Sequence, residues 1–199
     1  QKAIYFYKKA DNLRPNNSVI INNLAKSYIN INDAEQAEKH CRLAISIDKN
    51  NDDFKKTLAI ILFKKYDFKN AWLSFDGRLS LSEFNNKNPA LKLVQNKIPT
   101  KNILNKNANI LVLREQGIGD EILYGTMYSD LLNEFKNLII ECDERLIPLF
   151  KNSFKSFRDK FVKLGTNSLD VRQISNFDYI IYAGSLGKYF RNDLNSFSQ

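Results

Sequence analysis

The sequence is poor in the residues that build disulfides, metal sites and nucleophilic triads. Its two cysteines, Cys41 and Cys142, fall in different halves and have no CxxC partner, which argues against a disulfide framework or a zinc site and favours a reducing cytoplasm. The single histidine, His40, lies in the first half, where we expect an exposed surface role. No Ser-His-Asp or Cys-His arrangement is therefore available to the second half, and no cluster of acidic and histidine side chains suggests a metal. A general base there must be a carboxylate.

Long apolar segments are also missing. No run approaches the roughly 20 apolar residues of a membrane span, and no signal-peptide pattern opens the chain, so we expect a cytoplasmic protein. The formal charge of +8 would suit nucleic acid or an anionic membrane. Dense arginine clusters and RNP-like aromatic motifs are absent. Abundant surface lysine therefore explains the charge better than nucleic-acid binding does.

A regular period runs through the first half of the sequence, where six columns of apolar or small residues recur at one spacing. The columns are Ala3, Ala37 and Ala71; Tyr7, Cys41 and Phe75; Ala10 and Ala44; Leu24 and Leu58; Ala25 and Ala59; Tyr28 and Leu62. The spacing is about 34 residues, that of the tetratricopeptide repeat, a helix-turn-helix unit. The resemblance to this family covers residues 1 to 79 and implies a surface that binds a protein partner on its concave side.

The repeat pattern predicts where helices begin and where they touch. Asn16-Asn17-Ser18 and Asn50-Asn51-Asp52 supply helix N-caps, and Ala25, Ala37, Ala59 and Ala71 are expected at helix contacts. The repeats are predicted over residues 1–84, with Lys49, Lys55 and Arg78 departing from the family pattern. Trp72, with Phe68 and Phe75, is expected to pack at the end of the array rather than to serve as a sugar platform. Because the chain begins inside a unit and lacks an initiating Met, we expect it to be a piece of a longer protein.

Residues 85–109 form a predicted linker rich in Asn and Lys, with Pro89 and Pro99. A solvated connector is the favoured interpretation, and a short helix at 89–96 is possible within it. The alternative is a basic strip that touches an anionic partner. Its residues would be Lys87, Lys92, Lys97, Lys101 and Lys106.

Strand and helix patterns alternate after the linker. Apolar runs predict strands at 109–115, 138–142, 161–164 and 178–182, and helical periodicity occupies 121–135, 144–154 and 185–190. This alternation implies a doubly wound parallel sheet over residues 110–199. The predicted fold class is thus α + α/β, with helical hairpins followed by a Rossmann-like parallel-sheet unit.

The turn after the first predicted strand carries two glycines and an acid, Gly117, Gly119 and Asp120. A dinucleotide fingerprint would need a third glycine, and the Asp120 carboxylate would repel a pyrophosphate at the helix start, so we do not expect NAD. Two interpretations remain open. Either the glycines make a tight turn that Asp120 caps, or Asp120 is a base presented to a neutral acceptor. Glu115 and Glu121 are the next candidates for the base.

Three segments in order are similar to a known enzyme module. They read ILVLREQGIGDEILYGTMYSDLL at 110–132, YDFKNAWLSFDGRL at 66–79 and FDYIIYAGSLGKYF at 177–190. Together they resemble the glycosyltransferase module that follows tetratricopeptide repeats in many bacterial proteins, which is related to the heptosyltransferases of glycosyltransferase family 9. The resemblance implies a two-lobed GT-B fold, of which this chain holds the first, acceptor-binding lobe.

The resemblance also implies roles for individual residues. Asp120 takes the place of the general base, and Gly117, Gly119 and Glu121 are expected to bind the acceptor. Thr126 stands where relatives often have proline, so the helix start is expected to differ. The donor, a nucleotide-sugar, would bind a second lobe in a longer protein, so this chain alone is expected to hold no cofactor and to be inactive. The alternative is a non-catalytic protein-interaction scaffold.

Overall fold

The computed structural model describes residues 1–81, 94–100, 103, 105–115, 117–164 and 174–197. The chain combines a unit of packed helices with a unit built on a four-stranded, wholly parallel sheet, so the fold class is α + α/β. The helical unit comprises Gln1–Leu81 together with the C-terminal segment that starts at Arg191, and the second unit ends at Phe190. This division differs from the predicted one, in which all residues from 110 onward belonged to the α/β part.

Five α-helices lie in the described part of the helical unit: α1 (Lys2–Leu13), α2 (Ser18–Ile29), α3 (Ala34–Ile47), α4 (Asp52–Lys64) and α5 (Phe68–Phe75). The starts of α2 and α4 are separated by one full sequence period, and so are the starts of α3 and α5. Each helix packs on the next one along the chain. The sequence period is therefore also a period of the backbone, and no strand interrupts residues 19–79, all of which the structure describes.

The helix starts use three side-chain caps. The Asn17 side chain accepts hydrogen bonds from Val19 N and Ile20 N, both at 3.1 Å. Asp33 and Asp67, which occupy equivalent positions in successive repeats, cap α3 and α5. The capping prediction for Asn51 is wrong in part, because its side chain makes no cap hydrogen bond and its amide donates to Asp48 Oδ2 instead.

The interior of the helical unit contains the predicted small residues. Ala25, Ala37, Ala59 and Ala71 are all completely buried, as expected if they let neighbouring helix backbones approach closely. The Cys41 thiol is buried beside them, and this burial raises its pKa to about 12. His40 is half-buried rather than exposed, and it stacks on Tyr28 with ring centroids 5.1 Å apart.

The α/β unit has the strands β1 (Ile110–Leu113), β2 (Leu138–Glu141), β3 (Phe161–Val162) and β4 (Tyr179–Tyr182). All four lie within predicted strands. The strand order is β3-β2-β1-β4, and Leu111 pairs with Ile139 on one side and with Ile180 on the other. The order of strands thus reverses at β1. In open parallel sheets the loops next to such a reversal, at the carboxyl ends of the strands, form the usual ligand-binding crevice.

Four α-helices accompany the sheet in the part of this unit that the structure describes: α6 (Ile118–Gly125), α7 (Tyr128–Glu134), α8 (Ile147–Ser153) and α9 (Gly187–Phe190). The prediction of one helix over 121–135 is wrong, because it breaks between Gly125 and Tyr128. The Thr126 hydroxyl donates to the Leu123 carbonyl oxygen at 2.7 Å, and this kind of bond competes with the helical backbone and bends helices. The helix predicted from residue 144 begins later, at Ile147, with Pro148 in its first turn, where proline is well tolerated.

Much of the predicted linker, including Lys87, Lys92 and Lys101, lies outside the described residues, as does most of the possible helix at 89–96. Two of its lysines are described and pair within the second unit. Lys97 Nζ donates to the carbonyl oxygens of Phe177 and Ser175, and Lys106 Nζ lies 3.5 Å from Glu134 Oε1. These two cations are therefore partnered within this chain.

Candidate functional site

The glycine turn leads directly from β1 into α6. Gly117 and Gly119 are both exposed, while Gln116 lies outside the described residues. A Cβ at Gly119 would meet no atom within 4 Å, and one at Gly117 would meet only Asp120 Oδ2, at 3.6 Å. Gly117 has φ −104° and ψ 173°, a conformation open to any residue. Backbone strain therefore does not require glycine at either position.

Asp120 lies in the first turn of α6 and is half-buried. Its Oδ2 accepts the Gly117 N–H at 3.2 Å, which is the bond a helix cap would make. Within the described residues this is the one hydrogen bond that its carboxylate makes. The Oδ1 atom thus keeps its lone pairs available beside the exposed backbone of the turn. This geometry is compatible with both interpretations of Asp120.

Glu121 occupies a different environment from its neighbour. Its residue is 1% exposed, so its carboxylate does not line the surface, where we expected it to bind an acceptor. Oε2 accepts the Asp143 backbone N–H at 3.0 Å, and Oε1 lies 3.5 Å from Arg114 Nε. Burial raises the pKa of this carboxyl group. Glu121 therefore ties α6 to the loop after β2 instead of facing solvent.

Sequence reasoning missed two arginines at the same edge of the sheet. Arg114 follows β1 and Arg145 follows β2, and both donate to Asp143. Arg145 binds it with two nitrogens, Nε at 2.8 Å and Nη2 at 3.0 Å, while Arg114 Nη1 lies 2.9 Å away. The hydrogen bonds from Arg145, followed by that from Arg114, hold the pKa of the Asp143 carboxyl group well below its usual range. The signal available in the sequence was the presence of charged residues shortly after the first two predicted strands.

Two further carboxylates at this edge bond to backbone amides. Glu115 Oε1 accepts the Gly184 N–H in the turn after β4, and Glu141 Oε2 accepts the Arg114 N–H at 3.3 Å. Both glutamates are buried. With Glu121, they cross-link the carboxyl ends of β1, β2 and β4. Glu115, the second candidate for the base, is therefore less accessible to a substrate than Asp120.

The described residues contain no group of three or more His, Cys, Asp or Glu side chains that could hold a metal ion. Among the same residues, no helix is both long and apolar enough to cross a membrane.

Comparison with known proteins gives one short similarity. No protein-family model matches the chain. The translocon at the outer membrane of chloroplasts 64 of Pisum sativum is 45% identical to it over 51 residues. That stretch is 26% of this chain and 9% of the plant protein. The chain thus spans a small part of this relative, and the similarity concerns a segment rather than a whole protein.

Proposed function

We propose that the α/β unit is the acceptor-binding lobe of a glycosyltransferase whose donor lobe lies elsewhere in a longer protein. The observation that carries the proposal is the position of Asp120. It stands at the carboxyl edge of a parallel sheet, next to the strand where the order reverses, with Oδ1 uncommitted within the described residues. A carboxylate there can accept the proton of an acceptor hydroxyl as that oxygen bonds to the anomeric carbon of a nucleotide-sugar and the nucleoside diphosphate leaves.

The surroundings suit this task. The exposed backbone of Gly117 and Gly119 leaves room for an acceptor close to Asp120, because no side chain projects from either position. Glu121, fixed by Asp143 and Arg114, anchors the helix that carries Asp120. A base held in this way loses little orientational freedom when the acceptor binds. In this arrangement Asp120 is the catalytic residue and Glu121 a positioning residue.

We further propose that the helical unit is a tetratricopeptide array that binds a protein partner. The helix starts, the caps at Asp33 and Asp67 and the positive φ angles of Asn32 and Tyr66 all recur at the same sequence period. Such stacks present an extended concave surface. The array would bring the glycosyltransferase to its protein target or to an assembly partner.

The acceptor site is testable with this chain alone. We expect neutral methyl glycosides to shift the amide resonances of Gly117, Gly119 and Asp120 in two-dimensional NMR spectra, with millimolar dissociation constants, about −4 kcal/mol. Gly119→Ala should weaken binding at least threefold, because its methyl group enters the space of the acceptor. Lys136→Ala, at the opposite end of β2, is the matched control and should bind normally. Shifts confined to other surfaces would refute the placement of the acceptor.

Donor-binding measurements test the proposal that this lobe binds the acceptor and that another lobe binds the donor. Calorimetry with uridine, guanosine and adenosine diphosphate sugars should show no binding tighter than about 1 mM, roughly −4 kcal/mol. Micromolar binding of any of them would place the donor on this lobe and overturn the assignment.

The second candidate function is a non-catalytic interaction scaffold. The bond from Gly117 N–H to Asp120 Oδ2 favours it, because this bond gives Asp120 a sufficient role as a helix cap. A longer protein that transfers no sugar from any nucleotide-sugar donor would support the scaffold over the enzyme.

A further inference from the structure

The last helix pair of the array carries a cluster of aromatic rings. Phe63 on α4 meets Trp72 of α5 edge-on, with centroids 4.6 Å apart, and lies 6.2 Å from Phe75. Phe68, at the start of α5, is 6.3 Å from Phe63. None of these four side chains is fully buried. The cluster, which we call the α5 aromatic face, therefore offers apolar surface beyond the helix pair itself.

A short segment of the same chain lies on this face. Trp72 Nε1 donates a hydrogen bond of 2.8 Å to the backbone carbonyl oxygen of Arg191. Six residues later, the Phe197 ring lies 4.7 Å from the ring of Phe68. The Arg191 guanidinium stands 5.8 Å from the Phe197 ring centroid. The segment is thus held by two anchors, a main-chain acceptor and an aromatic ring.

The segment has its own local shape. Residues Leu194–Phe197 form a single 3₁₀ turn, and Asp193 caps it, because its Oδ1 accepts the Ser196 N–H at 2.9 Å. Positions 192–195 between the anchors are exposed. A lone turn of this length is not stable by itself. It is ordered where its anchors meet the α5 aromatic face, as a short peptide is ordered on a receptor.

We propose that the α5 aromatic face is a peptide-binding site and that residues 191–197 occupy it as an intramolecular ligand. The partner it fits is a protein segment of the same chemistry, with a backbone carbonyl for Trp72 and, about six residues on, an aromatic side chain on a helical turn. Trp72 supplies directionality, since an indole N–H can only donate. Phe68 supplies the apolar contact. A partner segment binds by displacing residues 191–197.

Residues 191–197 compete with any free peptide, because they belong to the same chain as the α5 aromatic face. An intramolecular ligand has an effective concentration that is set by its tether and can reach about millimolar. A free peptide with the same two anchors therefore binds the intact chain poorly but binds readily once one anchor of residues 191–197 is removed. Such a site would remain covered until a partner of higher affinity arrives. The inference does not depend on the glycosyltransferase proposal.

Trp72 is the one tryptophan in the sequence, so its fluorescence reports directly on the site. The experiment compares the wild-type chain with Phe197→Ala, adding a labelled synthetic peptide RNDLNSFSQ that copies residues 191–199. We expect the Trp72 emission of Phe197→Ala to be red-shifted. We also expect Phe197→Ala to bind the peptide, as measured by fluorescence anisotropy, at least tenfold more tightly than the wild-type chain does. The added peptide should reverse the red shift. Leu194→Ala is the matched control, because Leu194 is 59% exposed and should behave as wild type.

Two further samples make the result decisive. Phe68→Ala, combined with Phe197→Ala, should abolish peptide binding, as should a peptide in which the phenylalanine is replaced by alanine. Equal binding to the wild-type chain and to Phe197→Ala, or no binding to either, would overturn the proposal. Loss of helical circular dichroism in Phe197→Ala would overturn it too, by showing residues 191–197 to be an integral part of the helical fold rather than a displaceable ligand.

Discussion

Gly125 ends α6 against the aromatic core of the α/β unit, and it offers the sharpest test of how that core is packed. A Cβ at this position would lie 2.7 Å from Phe150 Cε1 and 3.2 Å from Cζ, whereas carbon atoms in contact usually stay about 3.5–4.0 Å apart. The Phe150 ring has little room to retreat. It stacks on Phe161 at 5.6 Å and meets Tyr128 edge-on at 5.4 Å. Gly125→Ala must therefore displace a packed ring.

The expected magnitude follows from two opposing terms. Overpacking a well-filled core costs about 1–3 kcal/mol. Replacing glycine by alanine in a helix returns up to about 1 kcal/mol, and less here because Gly125 is the last residue of its helix. The free energy of unfolding of the α/β unit should fall by about 1–2 kcal/mol. Gly119→Ala in the same helix meets no atom within 4 Å and should change it by less than about 0.5 kcal/mol.

Amide hydrogen exchange is the suitable assay, because the chain contains two compact units and one melting curve would mix them. The slowest amides of β1, such as those of Leu111 and Val112, report opening of the α/β unit. They should exchange about 5 to 30 times faster in Gly125→Ala. In Gly119→Ala their rates should change by no more than about twofold. Amides of α4 in the other unit serve as an internal reference.

A double-mutant cycle separates the clash from other effects of the new methyl group. Phe150→Leu removes the ring that this methyl group would strike, so the cost of Gly125→Ala should shrink by at least about 0.5 kcal/mol in that background. Additive costs, or a Gly125→Ala chain as stable as wild type, would show that the core around Phe150 is looser than the structure indicates.

Three further predictions concern the base, the repeats and the ion pairs. Asp120→Asn should change the free energy of unfolding of the α/β unit, read from hydrogen exchange of the β1 amides, by no more than about 1 kcal/mol, yet slow glycosyl transfer by a longer, active protein about 10²–10⁴-fold; unchanged turnover would leave Asp120 as a cap only. Ala37→Leu should destabilise the helical unit by about 1–3 kcal/mol, whereas Ala3→Leu, in the same repeat column but exposed, should cost less than about 0.5 kcal/mol; equal costs, read from hydrogen exchange of the slowest amides of α2 and α3, would contradict the repeat packing. The Asp143 pKa is lowered in the folded state, so its stabilisation is present above about pH 4, the ordinary pKa of an aspartate, and is lost as the pH falls further. Asp143→Asn should therefore flatten the loss of α/β stability between about pH 4 and pH 2, and parallel pH profiles for the two proteins would refute this.

Much of the fold could be predicted from local patterns. The repeat period located the helices, because Ala25, Ala37, Ala59 and Ala71 occupy positions where only a small side chain lets two helix backbones meet, and all four are buried. The strands were predicted because branched apolar residues fill segments that are covered on both faces, as in Ile110–Leu113. In each case the residues of one short segment are enough to indicate its secondary structure.

Errors occurred where one hydrogen bond decides the outcome. Asn17 caps α2, but Asn51 at the equivalent position turns to Asp48, since a neighbouring carboxylate competes for its amide. The Thr126 hydroxyl bonds to Leu123 and divides the predicted helix in two. Residue types alone favour either alternative in both places, and differences of about 1 kcal/mol choose between them.

By itself the sequence determined the helix repeat, the alternation of strands and helices and the glycine turn that holds Asp120, because these depend on residues close together along the chain. Only the tertiary structure decided which carboxylates are exposed and which are paired. Asp120 and Glu121 are adjacent, yet one borders the turn and the other is buried against Asp143 and Arg114. The segment 191–197 likewise packs on a helix that is distant in the sequence. Whether a side chain is buried or ion-paired depends on which distant segments contact it. Those contacts are decided by the pairing of strands and the packing of helices.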